Sequence, residues 1–303
     1  MWKKLIKAIK NPRKVMIVLL LTTARLFPDK MYVSLMYRLY MKRSLRWNSI
    51  NTFNEKLQWL KLYDRKTEYT RMVDKYEAKR YVAELIGEEH IIPTLAVYNS
   101  VEEIDFDALP NQFVLKCTHD SGGVVICADK STFDKEAALK KLRKLIKRRY
   151  YWQSREWPYK NVPQKIIAEQ YMIDESGYEL KDYKFFCFNG EVKVLKVDFD
   201  RFTEHRANYF DCEGKLLPFG EVVCPPDFNK TLTIPPCFDK MLRVAERLSH
   251  KIPFVRVDLY NINGSIYFGE ITFYPASGWG PFIPDSWDCT LGSWIELPKT
   301  KIQ

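Results

Sequence analysis

The segment VRVDLYNINGSIYFGEITFYPASG, residues 255–278, decides the fold. Val255, Val257 and Leu259 alternate with Arg256, Asp258 and Tyr260, and after Asn263-Gly264 the chain runs back from Ile266 to Tyr274. Period-2 alternation on both sides of an Asn-Gly pair predicts a hairpin, because both turn residues accept the positive φ that a two-residue loop requires. Each strand also carries an acid, Asp258 on the first and Glu270 on the second. A hairpin built only for a core needs neither. Each acid must pair with a Lys or Arg at a sheet edge or serve a ligand.

The same pattern recurs upstream. YKFFCFNGEVKVLKVDF predicts a hairpin about Asn189-Gly190, and QFVLKCTHDSGGVVICADK another whose tip is the polar run Thr118 to Gly123. IIPTLAVYNS and KIIAEQYMI read as strands. Thr52 and Glu55 fit a capping box ahead of Leu57, Leu60 and Lys61. Further helices are expected over MVDKYEAKRYVAELIG up to Gly87, over residues 134–149 with Leu139, Leu142, Leu145 and Ile146 on one side, and over roughly 238–250. Helices mixed with strands that occur mainly as hairpins define an α+β class with antiparallel sheets.

A chain of 303 residues, 46% hydrophobic, is long enough for two lobes. Its 7 cysteines are scattered singly without a C-x-x-C, which indicates neither a zinc site nor a disulfide scaffold, and the chain is expected in the cytosol. The net charge of +10 is concentrated in residues 1–50, where 12 Lys or Arg face the single acid Asp29 (12 − 1 = +11), leaving −1 for the remainder. With that remainder near neutral and no RNA-binding motif, nucleic acid is not an expected partner. Within the basic segment, Trp2, Leu5, Ile6 and Ile9 recur at helical spacing with Lys3, Lys4, Lys7 and Lys10 on the remaining face. That pattern suits either a helix on anionic lipid at the inner face of the membrane, through residues 1–12, or a helix packed on the domain. VMIVLLLTTARLF falls short of the roughly 20 apolar residues of a spanning helix. RLFPDK offers no signal-peptide cleavage site.

Three lysines stand at strand or helix ends: Lys75 in VDKYEAK, Lys116 in FVLKCTHDSGG and Lys184 in DYKFF. Lys116 closes an apolar strand ahead of a Gly-containing loop whose N–H groups are able to fold over a polyphosphate. No G-x-x-x-x-G-K-[ST] occurs, and each lysine alone is an ordinary solvated strand end. Their order, with the strand IIAEQYM between them and the paired acids at the end, resembles the ATP-grasp superfamily. More specifically, TFNEKLQWLKLYDR, FVLKCTHDSGG, EWPYK, DYKFFCFNGE and FVRVDLYNINGSIYFGEITFYPASG resemble the TupA-like ATP-grasp family, associated with teichuronopeptide and other surface-polysaccharide biosynthesis.

The resemblance implies two α+β lobes with antiparallel sheets enclosing ATP. It divides the chain into a basic amphipathic segment (1–50), a helical region (51–110), a first lobe (111–172) and a second lobe carrying the acidic hairpin (173–303). It assigns Lys75 and Lys116 to phosphate, Ser121, Gly122 and Gly123 to a loop closing over it, and Glu169, Gln170, Tyr171 and Met172 to the linker that reads adenine. Lys184 faces phosphate, and either Asp182 or Glu179 the ribose. Asp258 and Glu270 match the Mg²⁺ ligands, since a hard cation takes oxygen donors and paired strands hold them rigidly. Many superfamily members carry Asn where this chain has Thr272, whose hydroxyl offers a third contact to Mg²⁺ or its water. Arg256, on the same face as Asp258, is assigned with Lys116 a catalytic role on the transferred phosphoryl group or acyl phosphate.

For the acceptor, DFDRFTEHRANYFD offers Arg201, His205 and Arg206 to an anionic sugar or amino-acid carboxylate, with Glu156 and Tyr159 lining the same mouth. The expected activity is that of an ATP-dependent, Mg²⁺-requiring carboxylate–amine ligase, joining a sugar acid of a cell-surface polysaccharide or its precursor to an amine. The alternative is a glycosyltransferase whose paired acids hold a metal on a nucleotide sugar. That alternative leaves Lys75, Lys116 and the loop without a task.

Overall fold

Local signals start the first elements of the structure, a computed structural model that describes residues 12–177, 180–200 and 203–299. The Trp2–Ile9 stripe, Glu179 and Arg201 lie outside the described residues. Helices α1 (Pro12–Thr22) and α2 (Asp29–Met41) form an N-terminal pair, followed by α3 (Phe53–Tyr63). The capping box at α3 is formed: the Thr52 hydroxyl accepts from Glu55 N–H (3.3 Å) and the Glu55 carboxylate accepts from Thr52 N–H (3.1 Å). The helix expected up to Gly87 is broken into α4 (Glu68–Val73) and α5 (Glu77–Ile86). Asp74 turns extended there, and its carboxylate accepts from Tyr76 N–H at 2.9 Å, so it starts the second helix rather than continuing the first. The break leaves the backbone N–H of Lys75 to bond Thr118 O at 3.1 Å.

Strands β1 (Thr94–Tyr98), β2 (Phe113–Cys117), β3 (Val124–Cys127) and β4 (Ile166–Gln170) form an antiparallel sheet in the order β1-β4-β2-β3. This sheet thus takes one strand from before residue 111. Between β3 and β4 lie α6 (Lys135–Leu145) and the short α7 (Tyr150–Ser154), and Leu142 of α6 packs with Phe113, Leu115 and Ala168 in one core cluster. The helix expected over 134–149 therefore stops four residues early.

The second sheet comprises β5 (Asp182–Phe188), β6 (Glu191–Phe199), β7 (Arg206–Phe210), β9 (Phe254–Ile262) and β10 (Ser265–Thr272) in the order β10-β9-β5-β6-β7. Both Asn-Gly turns have positive φ at each residue, 52° and 91° at Asn189-Gly190 and 51° and 83° at Asn263-Gly264, as the hairpin prediction requires. A small ribbon of β8 (Gly220–Glu221) and β11 (Phe282–Ile283), helix α8 (Phe238–Ser249) and helix α9 (Ser286–Ser293) complete the described elements.

The two faces of the five-stranded sheet divide the work. On one, Val255, Val257, Leu259, Phe185 and Val197 are buried in the cluster that includes Met241, Ala245 and Leu248 of α8. The other face is apolar at one end, where Phe53 of α3 meets Phe254 edge-on at 4.8 Å, and charged at the other end. Helices α3 and α9 close the apolar end. At their contact Gly292 has no room for a side chain, since a Cβ would lie 2.5 Å from Phe53 N and 2.6 Å from Thr52 C. Gly292→Ala should therefore lose about 1–3 kcal/mol of stability through overpacking against backbone, read as a shifted chemical-denaturation midpoint. The exposed neighbour Ser293→Ala serves as control; equal midpoints for the two would mean the helices slide apart freely.

Candidate active site

The charged end of that face is built by register. Cross-strand pairs set Glu270 opposite Asp258, Thr272 opposite Arg256, Lys184 opposite both Asp258 and Lys196, and Asp182 opposite Tyr260. The pairing shifts between Phe268 and Glu270, where a Cβ on Gly269 would come 2.9 Å from Asp258 O. The close approach at this bulge permits no larger residue without backbone movement.

Arg256 holds the two acids together. Its Nε donates to Asp258 Oδ1 (2.6 Å) and its Nη2 to Asp258 Oδ2 (2.6 Å), Glu270 Oε1 (3.0 Å) and the Thr272 hydroxyl (3.1 Å). Burial pushes the Asp258 carboxyl up to about 6, with Arg256 opposing the rise and the charge of Glu270 adding to it. Burial also works against ionised Glu270, but Lys75 and Arg256 outweigh it and hold that carboxyl below its usual value. A second chain of charge runs alongside: Lys184 bonds Asp182 (3.1 Å) and Asp198, and Asp198 contacts His205 Nε2 at 3.1 Å.

The four-stranded sheet carries an ion group of its own. Glu169 is nearly sealed from solvent and pairs with Lys116 (2.5 Å) and with Lys79. Burial opposes its ionisation, yet the two lysines hold it charged and below the ordinary carboxylate value. Two ammonium groups on one carboxylate leave a surplus of positive charge at the sheet end. The Lys75 ammonium bonds Asp120 O at 2.7 Å, fixing the base of the 118–123 loop. Thr118, His119 and Asp120 are buried, whereas Ser121 and Gly122 are exposed. The Tyr260 hydroxyl is pushed well above its ordinary value by burial and by the charges of Asp182, Glu270, Asp258 and Glu169.

Register thus gathers Asp182, Lys184, Arg256, Asp258, Glu270 and Thr272 at one end of one sheet face, with the charge of Lys75 reaching Glu270. Lys116 and Glu169 pair on the four-stranded sheet, where Ser121, Gly122 and Gly123 lie in the loop that follows Lys116. Gln170, Tyr171 and Met172 lead from β4 into the turn around Asp174, whose carboxylate accepts from Ser176 and Lys181 N–H at 2.9 Å before β5 begins. His205 reaches the cleft through Asp198. Arg206 turns instead to Glu204. Glu156 is buried; it accepts from the Ser277 hydroxyl (2.6 Å) and lies in the field of buried Lys61, whose Nζ donates to Ser277 O (2.7 Å) and Ser154 O (2.9 Å). Tyr150 adjoins Ser277 at 3.4 Å and stacks edge-on with Tyr159. Burial lowers Lys61 to about 7 against the opposing charge of Glu156, and Glu156 is itself raised by burial.

Sequence reasoning missed Lys79, Tyr260, Lys61, Ser277 and Asp198 in these roles. Lys79 and Lys61 lie on helices whose periodicity carries no sign of a buried charge, while Tyr260 shares the alternation of Arg256 and Asp258 and was legible from it. Asp198, His205 and Cys224 also bring potential ligand atoms within 4.8 Å of one another, but Lys184 already takes the second oxygen of Asp198.

The donor set at Asp258, Glu270 and Thr272 is all oxygen and suits a hard divalent cation, with the guanidinium of Arg256 spanning the same acids. Two facing α+β sheets, with lysines and a Gly-containing loop on one and paired acids on the other, define the ATP-grasp class. Residues 55–296 match the family described as TupA-like ATPgrasp, and the chain belongs to that family. Similar solved structures include D-alanine–D-alanine ligase from Bacillus anthracis complexed with ATP (14% identity, TM-score 0.39, covering 67% of this chain and 53% of that one). A RimK domain ATP-grasp protein from Sphaerobacter thermophilus is another (11% identity, TM-score 0.41, covering 75% and 69%). The match spans about half the length of the Bacillus anthracis ligase (53%). No curated protein matches the sequence.

Because a proton on Asp258 competes with a cation, divalent-metal affinity should be full above the value of about 6. Below it, affinity should fall by up to about tenfold per pH unit. Titration with Mn²⁺ across pH reads this directly, and a flat profile would remove Asp258 from the site. In the same assay Asp258→Asn should bind metal weakly, and Arg256→Met more tightly than wild type, since the competing guanidinium is gone.

Proposed function

We propose that the protein is an ATP-dependent carboxylate–amine ligase that modifies a cell-surface polysaccharide or its precursor. Membership of the ATP-grasp family supports the use of ATP, and one observation supports the rest: Lys75, bonded to Asp120 O in the 118–123 loop, acts electrostatically on Glu270 of the paired acids of β9 and β10. A nucleotide-sugar site needs the acids alone and leaves the lysines idle.

In this reading the substrate carboxylate attacks the γ-phosphorus, the bond to the β–γ bridging oxygen breaks, and ADP leaves. The amine nitrogen then attacks the acyl carbon, the carbon–oxygen bond to phosphate breaks, and the amine gives up its proton. Mg²⁺, when bound, neutralises phosphate charge and orients the transfer. Lys116 and Lys75 hold phosphate charge, while the exposed N–H groups around Ser121 and Gly122 close over it. Glu169 and the linker through Met172 lie beside the adenine, and Asp182 beside the ribose. Arg256, which spans both carboxylates, would stabilise the charge of the transferring phosphoryl group. His205, reached through Asp198, orients the acceptor carboxylate. Arg201 supplies further charge to the same anion, while Arg206 is taken by Glu204.

Incubation with ATP, Mg²⁺, uronic acids and amino acids should yield ADP and phosphate only when both acceptors are present. Formation of AMP, or consumption of a nucleotide sugar without ATP, would contradict the ligase. Lys116→Ala should raise KM for ATP and lower kcat by about 10²-fold, because the ammonium meets phosphate charge both before and during transfer. An unchanged kcat would confine Lys116 to pairing with Glu169.

A further inference from the structure

We propose that the N-terminal helical pair is a docking surface for anionic phospholipid, formed by residues 15–31 and the basic rim beside them. The inference is independent of the ligase reading and rests on residues other than the Trp2–Ile9 stripe.

Helix α1 buries little of its apolar surface: Leu20 is its buried residue, while Val15 and Met16 are exposed, and Val18 and Leu19 remain 59% and 53% exposed. Leu26 (79%) and Met31, after the helix, are exposed as well. The orientation is pinned from behind. Asp29, the sole acid among residues 1–50, takes the guanidinium of Arg65 (2.8 Å), that of fully buried Arg155 (2.9 Å) and the hydroxyl of Tyr151 (2.8 Å). Arg155 also donates to Ala24 O (2.6 Å) and Phe27 O (3.2 Å). These bonds fix the α1–α2 connection against the body of the protein, so the exposed leucines and valines cannot turn inward without breaking a buried ion group.

Charge identifies the occupant. A groove of about 540 Å³ between the end of α1 and the α6–α7 junction is lined by Leu21, Leu26, Arg25, Lys144, Lys147 and Arg149, and those four cations are exposed. An apolar face bordered by Lys and Arg matches a bilayer interface, where hydrocarbon receives the leucines and anionic headgroups receive the rim. A second copy of this chain would instead bring two such basic rims together. No described helix is long and apolar enough to cross a membrane, and the proposed contact is with one leaflet. The rim also adjoins the candidate active site, since Arg148 pairs with Asp120 at 3.0 Å beneath the 118–123 loop.

The test is co-sedimentation of the full chain with vesicles of phosphatidylglycerol mixed into phosphatidylcholine, against phosphatidylcholine alone. Binding should require phosphatidylglycerol and weaken with added salt. Leu26→Glu, at a position too exposed to matter for folding, and the double variant Val18→Glu/Leu19→Glu should each reduce vesicle affinity at least about tenfold. Wild-type protein left in the supernatant would overturn the proposal, as would variants that bind as well as wild type. If sedimentation velocity shows a dimer that these substitutions dissociate, with no vesicle binding, the face belongs to a second copy and the proposal fails.

Discussion

The sharing of one guanidinium between Asp258 and Glu270 is the interaction around which the cleft is organised. Two acids set opposite each other on adjacent strands repel, and in a low-dielectric site neither is stable in charged form without a cation. Arg256 supplies that cation from the same sheet face. The arrangement is therefore an ion group complete in itself, yet built from the donors a divalent cation would take. The neighbouring charges obey the same rule: Lys184 is balanced by Asp182 and Asp198, Glu169 by Lys116 and Lys79, and Lys196 by Glu221.

What surrounds the cleft keeps this polar face intact. The opposite face of the five-stranded sheet packs on α8, and the apolar end of the same face is sealed by Phe53 and its aromatic neighbours. Lys61, buried beneath Trp279 at 4.3 Å, ties the Ser277 loop to α3 and to the end of α7. Ala276 and Ser277 both adopt left-handed backbone conformations there (φ 47° and 54°), a strained turn held in place by those bonds. The family motifs around Lys61, Glu156 and Ser277, distant in sequence, meet in that one place.

Much of this was legible in the sequence because the signals are local. The Asn-Gly turns, the alternation along residues 255–260 and the Thr52–Glu55 box each depend on neighbours within a few residues, and all appear as expected. The break at Asp74 was hidden because the apolar spacing runs on through it, while the partner of Lys75 lies in a distant loop. The acids at 258 and 270 were visible; the grip of Arg256 on both was not, since it depends on the bulge at Gly269 and on strand register. Likewise no pattern distinguishes Lys79 or Lys61 from a solvated helix lysine until the carboxylate or carbonyls that bury them are in place.

The proposed ligase requires one nucleotide held between the two sheets. Hydrogen exchange with and without a non-hydrolysable ATP analogue and Mg²⁺ tests it most directly. Simultaneous protection is expected of the loop around Ser121–Val124, of the segment after β4 through Met172, and of β9 and β10 around Asp258 and Glu270. Protection confined to one sheet, or none in the loop, would contradict a nucleotide held between them.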